Sequence, residues 1–293
     1  MTRVLPTIAL MTLLVTTAGA GEATPRAAWR AARVEEIAGP EGWLTVVGLH
    51  WLKGGANRLG SARDNDIVLA HGALAPHAAR LIVDGGTVRL EPAPRSGITR
   101  NGQPAVAMAL VPVDTEVVLE SGALRFFVIE RGGRYALRVR DLESKARREF
   151  RGLEYFPVDP GWAFEARFEP YVPAHRVPIV NVLGDELEMR SPGAIVFERD
   201  GREWRLDALL ESEGDDHLFV MFADATSGHE TYGAGRFLHT PLPAGGRVAV
   251  DFNEAYNPPC AFTGFATCPL PPPQNRLPLA VRAGELRYRG SGH

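Results

Sequence analysis

Two short segments late in the chain hold the residues best suited to chemistry. Thr226 to Arg236 (TSGHETYGAGR) supplies Glu230, Tyr232 and Arg236, and Asp251 to Asn257 (DFNEAYN) supplies Asp251, Asn253, Tyr256 and Asn257. A few placed polar groups among aromatics are what a small-molecule site uses to orient its ligand. The glycines at 228, 233 and 235 would let backbone approach a ligand closely. Two readings stand side by side. The segments form a pocket if they are neighbouring strand ends, or Arg236 pairs with Asp251 or Glu230 as a structural ion pair. A carboxylate pair such as Glu230 and Asp251, or a histidine base such as His50, could also activate water for hydrolysis. No residue is assigned a catalytic role.

Both cysteines, Cys260 and Cys268, lie in the closing stretch Asp251 to Gly290, which is rich in proline and aromatics. Tyr256, Phe262 and Phe265 seek burial and the prolines stiffen the loop, unlike a flexible linker. A disulfide is the expectation if the chain is exported, and a thiolate metal site is the rival, without a second Cys or His at zinc-like spacing. Export is expected from the first twenty residues. Arg3 precedes the apolar run Val4 to Val15, and Ala18-Gly19-Ala20 is a small-residue cleavage site. That run is too short to span a bilayer, so the chain is expected in the periplasm or secreted, with no integral membrane segment after cleavage.

Other chemistries lack their signals. There is no G-x-S-x-G elbow, H-E-x-x-H, P-loop or G-x-G-x-x-G fingerprint. The eight histidines are scattered without metal-ligand spacing, so no metal and no cofactor are expected. With a net charge of −3 and no basic patch, nucleic acid is not an expected partner.

The elements that must position these residues are mostly strands. Pro25 to Ala38 predicts a helix, with Gly39-Pro40 as its stop. From Trp43 onward, short apolar runs are separated by Asp84-Gly85-Gly86, Asn101-Gly102, Ser121-Gly122 and Gly132-Gly133, as hairpins require. Arg134, Arg138 and Arg140 share one strand face, read as solvated, and His50-Trp51 with Asn57-Arg58 forms a second polar cluster. Arg140 to Phe150 is a charged junction. A second β series follows from Val177, including a hairpin at Asp200-Gly201.

Residues 59–102 resemble a forkhead-associated domain through Leu59-Gly60-Ser61, Asn65 to Leu69, His77-Ala78 and Asn101-Gly102. The resemblance implies a β-sandwich. It does not extend to phosphothreonine reading, because Ser61 and Leu74 stand where that family has an arginine and a serine. Residues 42–288 also resemble a bacterial family known as a domain of unknown function, the one numbered 1684. The motifs are GWLTVVGLHWLKGGANRLGS, RYALRVRD, FRGLEYFPVD, TSGHETYGAGRFL and the closing DFNEAYNPPCAFTGFATCPLPPPQNRLPLAVRAGE. That resemblance implies no activity.

The expectation is a mainly β protein: helix at 25–39, forkhead-associated-like sandwich at 42–149, and a second sandwich or barrel-like domain at 150–290. Its expected role is to bind a small molecule or an envelope protein. The alternative is a hydrolase, and a structural envelope protein presenting the proline loop is a third reading.

Overall fold

The computed structural model describes residues 24–70 and 73–290. The expected secretion signal lies outside them. No helix among the described residues is long and apolar enough to cross a membrane.

The chain is mainly β with a short N-terminal helix, as the patterning predicts. The helix spans Pro25–Ala38, opened by Thr24, whose hydroxyl accepts the Ala27 N–H. Two antiparallel-rich sheets follow and form a sandwich. One has six strands in the order Val46–Trp51, Arg134–Asp141, Leu124–Arg131, Leu119–Ser121, Thr99–Arg100, Gln103–Pro104. The other has five, with Gly55–Gly60, Ala79–Asp84 and Thr87–Pro92 at its centre. Leu59, Leu81 and Leu90 from one sheet meet Phe126, Leu137 and Val139 from the other, all buried in one cluster.

Past the four-residue helix Lys145–Arg148, a six-stranded sheet runs in the order Arg236–Pro241, His217–Phe222, Arg202–Leu210, Glu186–Arg199, Ala163–Val180, Arg247–Asp251. Its edge strands approach each other, so the sheet nearly closes as a barrel. Phe168, Phe197, Leu206, Val220, Phe222, Leu238 and Val250 fill the interior, with Phe252 edge-on to Phe222 at 5.3 Å and to Trp162 at 5.7 Å. The His217–Phe222 strand is buried on both faces. Leu218, Val220 and Phe222 point inward, while Phe219 and Met221 pack outward against Cys260, Ala266 and Cys268 of the closing stretch. That explains its continuous apolar run, since alternation needs one wet face. The hairpin at Asp200-Gly201 is present: both residues have positive φ, and Arg199 pairs with Arg202.

The second β series begins before Val177, where the sequence reading starts it. Prolines hide an 18-residue strand, Ala163–Val180. Residues 163–167 pair with Arg247–Asp251, residues 167–170 and 175–180 pair with Glu186–Arg199, and Arg167 alone pairs on both sides. Pro170 and Pro178 sit where the strand is a free edge, and Pro173 sits in the register shift between Pro170 and His175. Those are the places where a strand tolerates a residue without an N–H.

Candidate functional site

The segments singled out in the sequence converge less on a pocket than on the scaffold. Arg236 is wholly buried at 0% exposure. Its guanidinium donates to Val281 O at 2.8 Å and to Ala283 O, and lies 3.4 Å from Asp224 Oδ1. Asp224 in turn accepts the Val281 N–H at 2.7 Å and the Thr226 hydroxyl. This node ties the barrel to the tail of the chain. Gly235 belongs to it: its φ is +98°, and a Cβ there would lie 2.5 Å from Phe222 O. The glycine admits the protein's own backbone, not a ligand.

The candidate carboxylates are each clamped to an arginine. Glu230 meets Arg282 at 3.0 Å, and Asp251 meets Arg26 of the N-terminal helix at 2.6 Å. Asp251 also caps Asn253, whose amide bonds Asp159 O at 2.9 Å. Asn257 is buried, donating to Leu286 O and offering its backbone N–H to Glu285. Tyr232 donates to Cys260 O at 3.1 Å. The His50 ring lies beside Gly48 with its pKa lowered by burial, and no hydrogen bond to the ring is found among the described residues. The hydrolytic arrangement therefore lacks both a free carboxylate and an oriented histidine at these positions.

Cys260 and Cys268 are buried thiols, not bridged as the sequence reading expected. Each sulfur accepts the other residue's backbone N–H, at 3.1 and 3.3 Å. A hydrogen bond from Cys268 lowers the pKa of Cys260, against burial; the same bond, with burial, pushes Cys268 up.

Two sequence-selected residues reach cavities: Asp251 lines a small one of about 390 Å³ beside Phe164 and Glu254, and Tyr256 a larger one. A cleft of about 990 Å³ opens between the sandwich and the outer face of the barrel-like sheet. Trp43, Arg131 and Arg138 come from the sandwich, and Met189, Leu210, Phe219, Phe237 and Tyr256 line the opposite wall. Ala266, Cys268 and Pro269 supply part of the lining from the closing stretch. A groove of about 720 Å³ near Pro92, Ile98 and Val106 is mostly apolar, with little to orient a ligand.

The face carrying Arg134, Arg138 and Arg140 is not the solvated face that strand periodicity suggests. The second half of the chain covers part of it. Each arginine lies over a ring: Arg134 over Trp51 at 4.2 Å, Arg138 over Trp43 at 5.4 Å and Arg140 over Phe127 at 5.2 Å. Arg134 also reaches across to Asp185, donating to both carboxylate oxygens at 2.7 and 2.9 Å. Arg138 is the buried one of the three, and Glu116 attracts it without forming an ion pair. It is 6% exposed, its Nε is buried without a partner, and no ion pair to it is found among the described residues. Burial, with Arg131 and Arg140 nearby, lowers its pKa to about 10.

At the mouth of the cleft, three strands bring together side chains that the sequence scatters. Glu211 follows the Arg202–Leu210 strand, His217 opens the next and His239 lies in the third. In the register, His217 faces Pro241 and His239 faces Phe219, so the two histidines are diagonal neighbours. Glu211 Oε2 lies 3.3 Å from His239 Nε2 and 3.8 Å from His217 Nε2, and the imidazole rings are 4.6 Å apart. Asp215 accepts the Glu211 and Ser212 N–H groups at 2.9 and 2.8 Å, which fixes the turn holding Glu211. Sequence reasoning missed this group because its signal is a cross-strand register, not a spacing.

Below the sandwich's five-stranded sheet, Arg58 is neutralised by Asp66 at 3.1 Å, and His77 Nδ1 lies 3.3 Å from Asn65 Oδ1. Ser61 donates to Leu74 O. These residues form a self-satisfied loop cluster.

Fold and cleft define a mainly β protein in which a sandwich and a barrel-like sheet enclose an interfacial cleft. Residues 148–286 match the family described as "Protein of unknown function (DUF1684)". Among solved structures it is similar to an uncharacterized protein of Haloarcula marismortui, determined in solution by NMR. The two are 33% identical over 48% of this chain and 78% of that chain, with a TM-score of 0.41. No curated protein matches the chain.

Proposed function

We propose that this protein is a binding module for a small anionic molecule that carries an apolar or aromatic portion. The observation that carries this reading is Arg138, buried at the cleft wall with its Nε unpartnered and no ion pair among the described residues. A buried charge is costly unless paired. Trp43 offsets part of that cost through its ring, and an anion docked in the cleft would supply the rest. Arginine suits the task because its planar fork binds carboxylate or phosphate in a bidentate way. Phe219, Phe237 and Tyr256 offer apolar wall to the remainder of the ligand. The clamping of Glu230 and Asp251 by arginines favours binding over hydrolysis.

Three further elements belong to this reading. The chain is exported to the periplasm or beyond, on the strength of its first twenty residues. Its sandwich, residues 42–149, is a forkhead-associated-like domain, supported by the two packed sheets. Residues 150–290 form the second domain, closed by the cysteine-bearing stretch.

A thermal-shift screen against aliphatic and aromatic carboxylates, phosphate esters and sulfonates tests the site, since a ligand binding only the native state raises the melting temperature. A reproducible shift is expected from at least one anionic class. Arg138→Met is expected to abolish that shift while leaving unliganded stability unchanged or higher, because an unpaired buried charge gives way to an apolar side chain. A shift that survives in Arg138→Met would move the ligand away from this cleft.

A further inference from the structure

We infer that Glu211, His217 and His239 form a binding site for a transition-metal ion of the zinc type at the mouth of the cleft. The three side chains each offer one ligand atom, and these atoms lie within 4.8 Å of one another. Two imidazoles and one carboxylate are a donor set suited to zinc, with a coordination position left open for water or another ligand. Imidazole nitrogens favour zinc, cobalt and nickel over magnesium and calcium, which prefer all-oxygen shells.

A second observation separates this group from a chance surface cluster. Both histidines are oriented through their other ring nitrogen. His217 Nδ1 lies 2.8 Å from Asp216 Oδ1, and His239 Nδ1 lies 3.4 Å from Tyr256 Oη. Each Nε2 is thereby left facing Glu211 Oε2. Outer partners of this kind fix the tautomer and the ring direction of metal-bound histidines. Glu211 and His239 also line the cleft, so an ion held there would face the same space as Arg138. The inference does not depend on the anion reading, because none of its three ligands takes part in that argument.

The test is titration of zinc into the full-length mature protein, purified without a histidine tag and stripped with chelator, in buffer without added organic anions. One equivalent is expected to bind. Cobalt substituted for zinc is expected to give the visible absorption of a four- or five-coordinate site. His217→Ala, His239→Ala and Glu211→Gln should each weaken zinc at least tenfold, while His229→Ala, at a surface histidine outside the group, should not. If a histidine variant fails to fold, Tyr256→Phe keeps the test open: removing one outer-shell oxygen is expected to weaken zinc about tenfold. Absence of saturable zinc binding, or binding unchanged in the ligand variants, would overturn the site. Either result leaves the screen on Arg138 standing or falling by itself.

Discussion

Arg138 and Arg236 are both buried arginines on strands, and their surroundings give them opposite roles. Arg236 has Asp224, Val281 O and Ala283 O around it, so its charge is compensated inside the fold. Arg138 has a ring and an open cleft. Asp224→Asn is therefore expected to destabilise the protein by roughly 3–5 kcal/mol, because it strands a buried cation. Urea denaturation with an unchanged slope checks this, and a loss under about 1 kcal/mol would mean the carbonyls alone suffice. Little of this was readable from residue types. The sequence makes Arg236 look like a ligand-reading group in a glycine-rich segment, and makes Arg138 look like one charge on a wet face. Period-two reasoning tells which residues share a face, not what covers it.

The elements were far more legible than the residues. The helix Pro25–Ala38 and the Asp200-Gly201 hairpin follow from local chemistry, a cap, a proline at the start and two positive φ angles, which no distant contact needs to supply. The strand Ala163–Val180 was hidden because its prolines are tolerated only where the strand becomes an edge, and edge status is a property of the sheet. The same limit hid Glu211, His217 and His239, which meet only through register. At this scale Asn275 is the test of how the closing stretch holds the barrel. It is wholly buried, its amide donates to Asp207 O at 2.9 Å and Met221 O at 2.8 Å, and its oxygen accepts the Asp207 N–H at 2.7 Å. Asn275→Ala leaves three buried backbone groups without partners, so a loss of about 3 kcal/mol or more is expected. Calorimetry reads it directly, and a near-neutral result would show water entering to replace the amide.

Across the whole molecule, the two ends of the described chain hold each other. Arg33 of the N-terminal helix donates to Glu285 at 2.9 Å, both side chains being buried, and reaches Asn257 O at 3.2 Å. Arg33 also lies 4.4 Å over the ring of Tyr256, which lines the cleft. Burial opposes the charge of Arg33, but the attraction of Glu285 and Glu36 outweighs it and raises its pKa, so Arg33 stays charged throughout ordinary conditions. Glu285→Gln is expected to cost several kcal/mol in urea, roughly 3–5 as for other broken buried pairs. It should also release the helix amides to solvent exchange before the sandwich amides. Uniform exchange across both regions would mean the helix is held by its other contacts, the Arg26–Asp251 pair and the apolar packing around Ile37, Leu44 and Phe262.

The strap formed by residues beyond Asp251 has a bearing on how the protein is made. Phe219 and Met221 wait for Cys260, Ala266 and Cys268, and Arg236 waits for the carbonyls of Val281 and Ala283. A ribosome delivers those partners last. Until then the nascent barrel displays a greasy outer wall and an unsheltered cation, which is the species a holdase would grip and a protease would clear. A premature stop anywhere before Val281 would freeze the chain in that state, so truncated copies should vanish by degradation instead of accumulating as partly active protein.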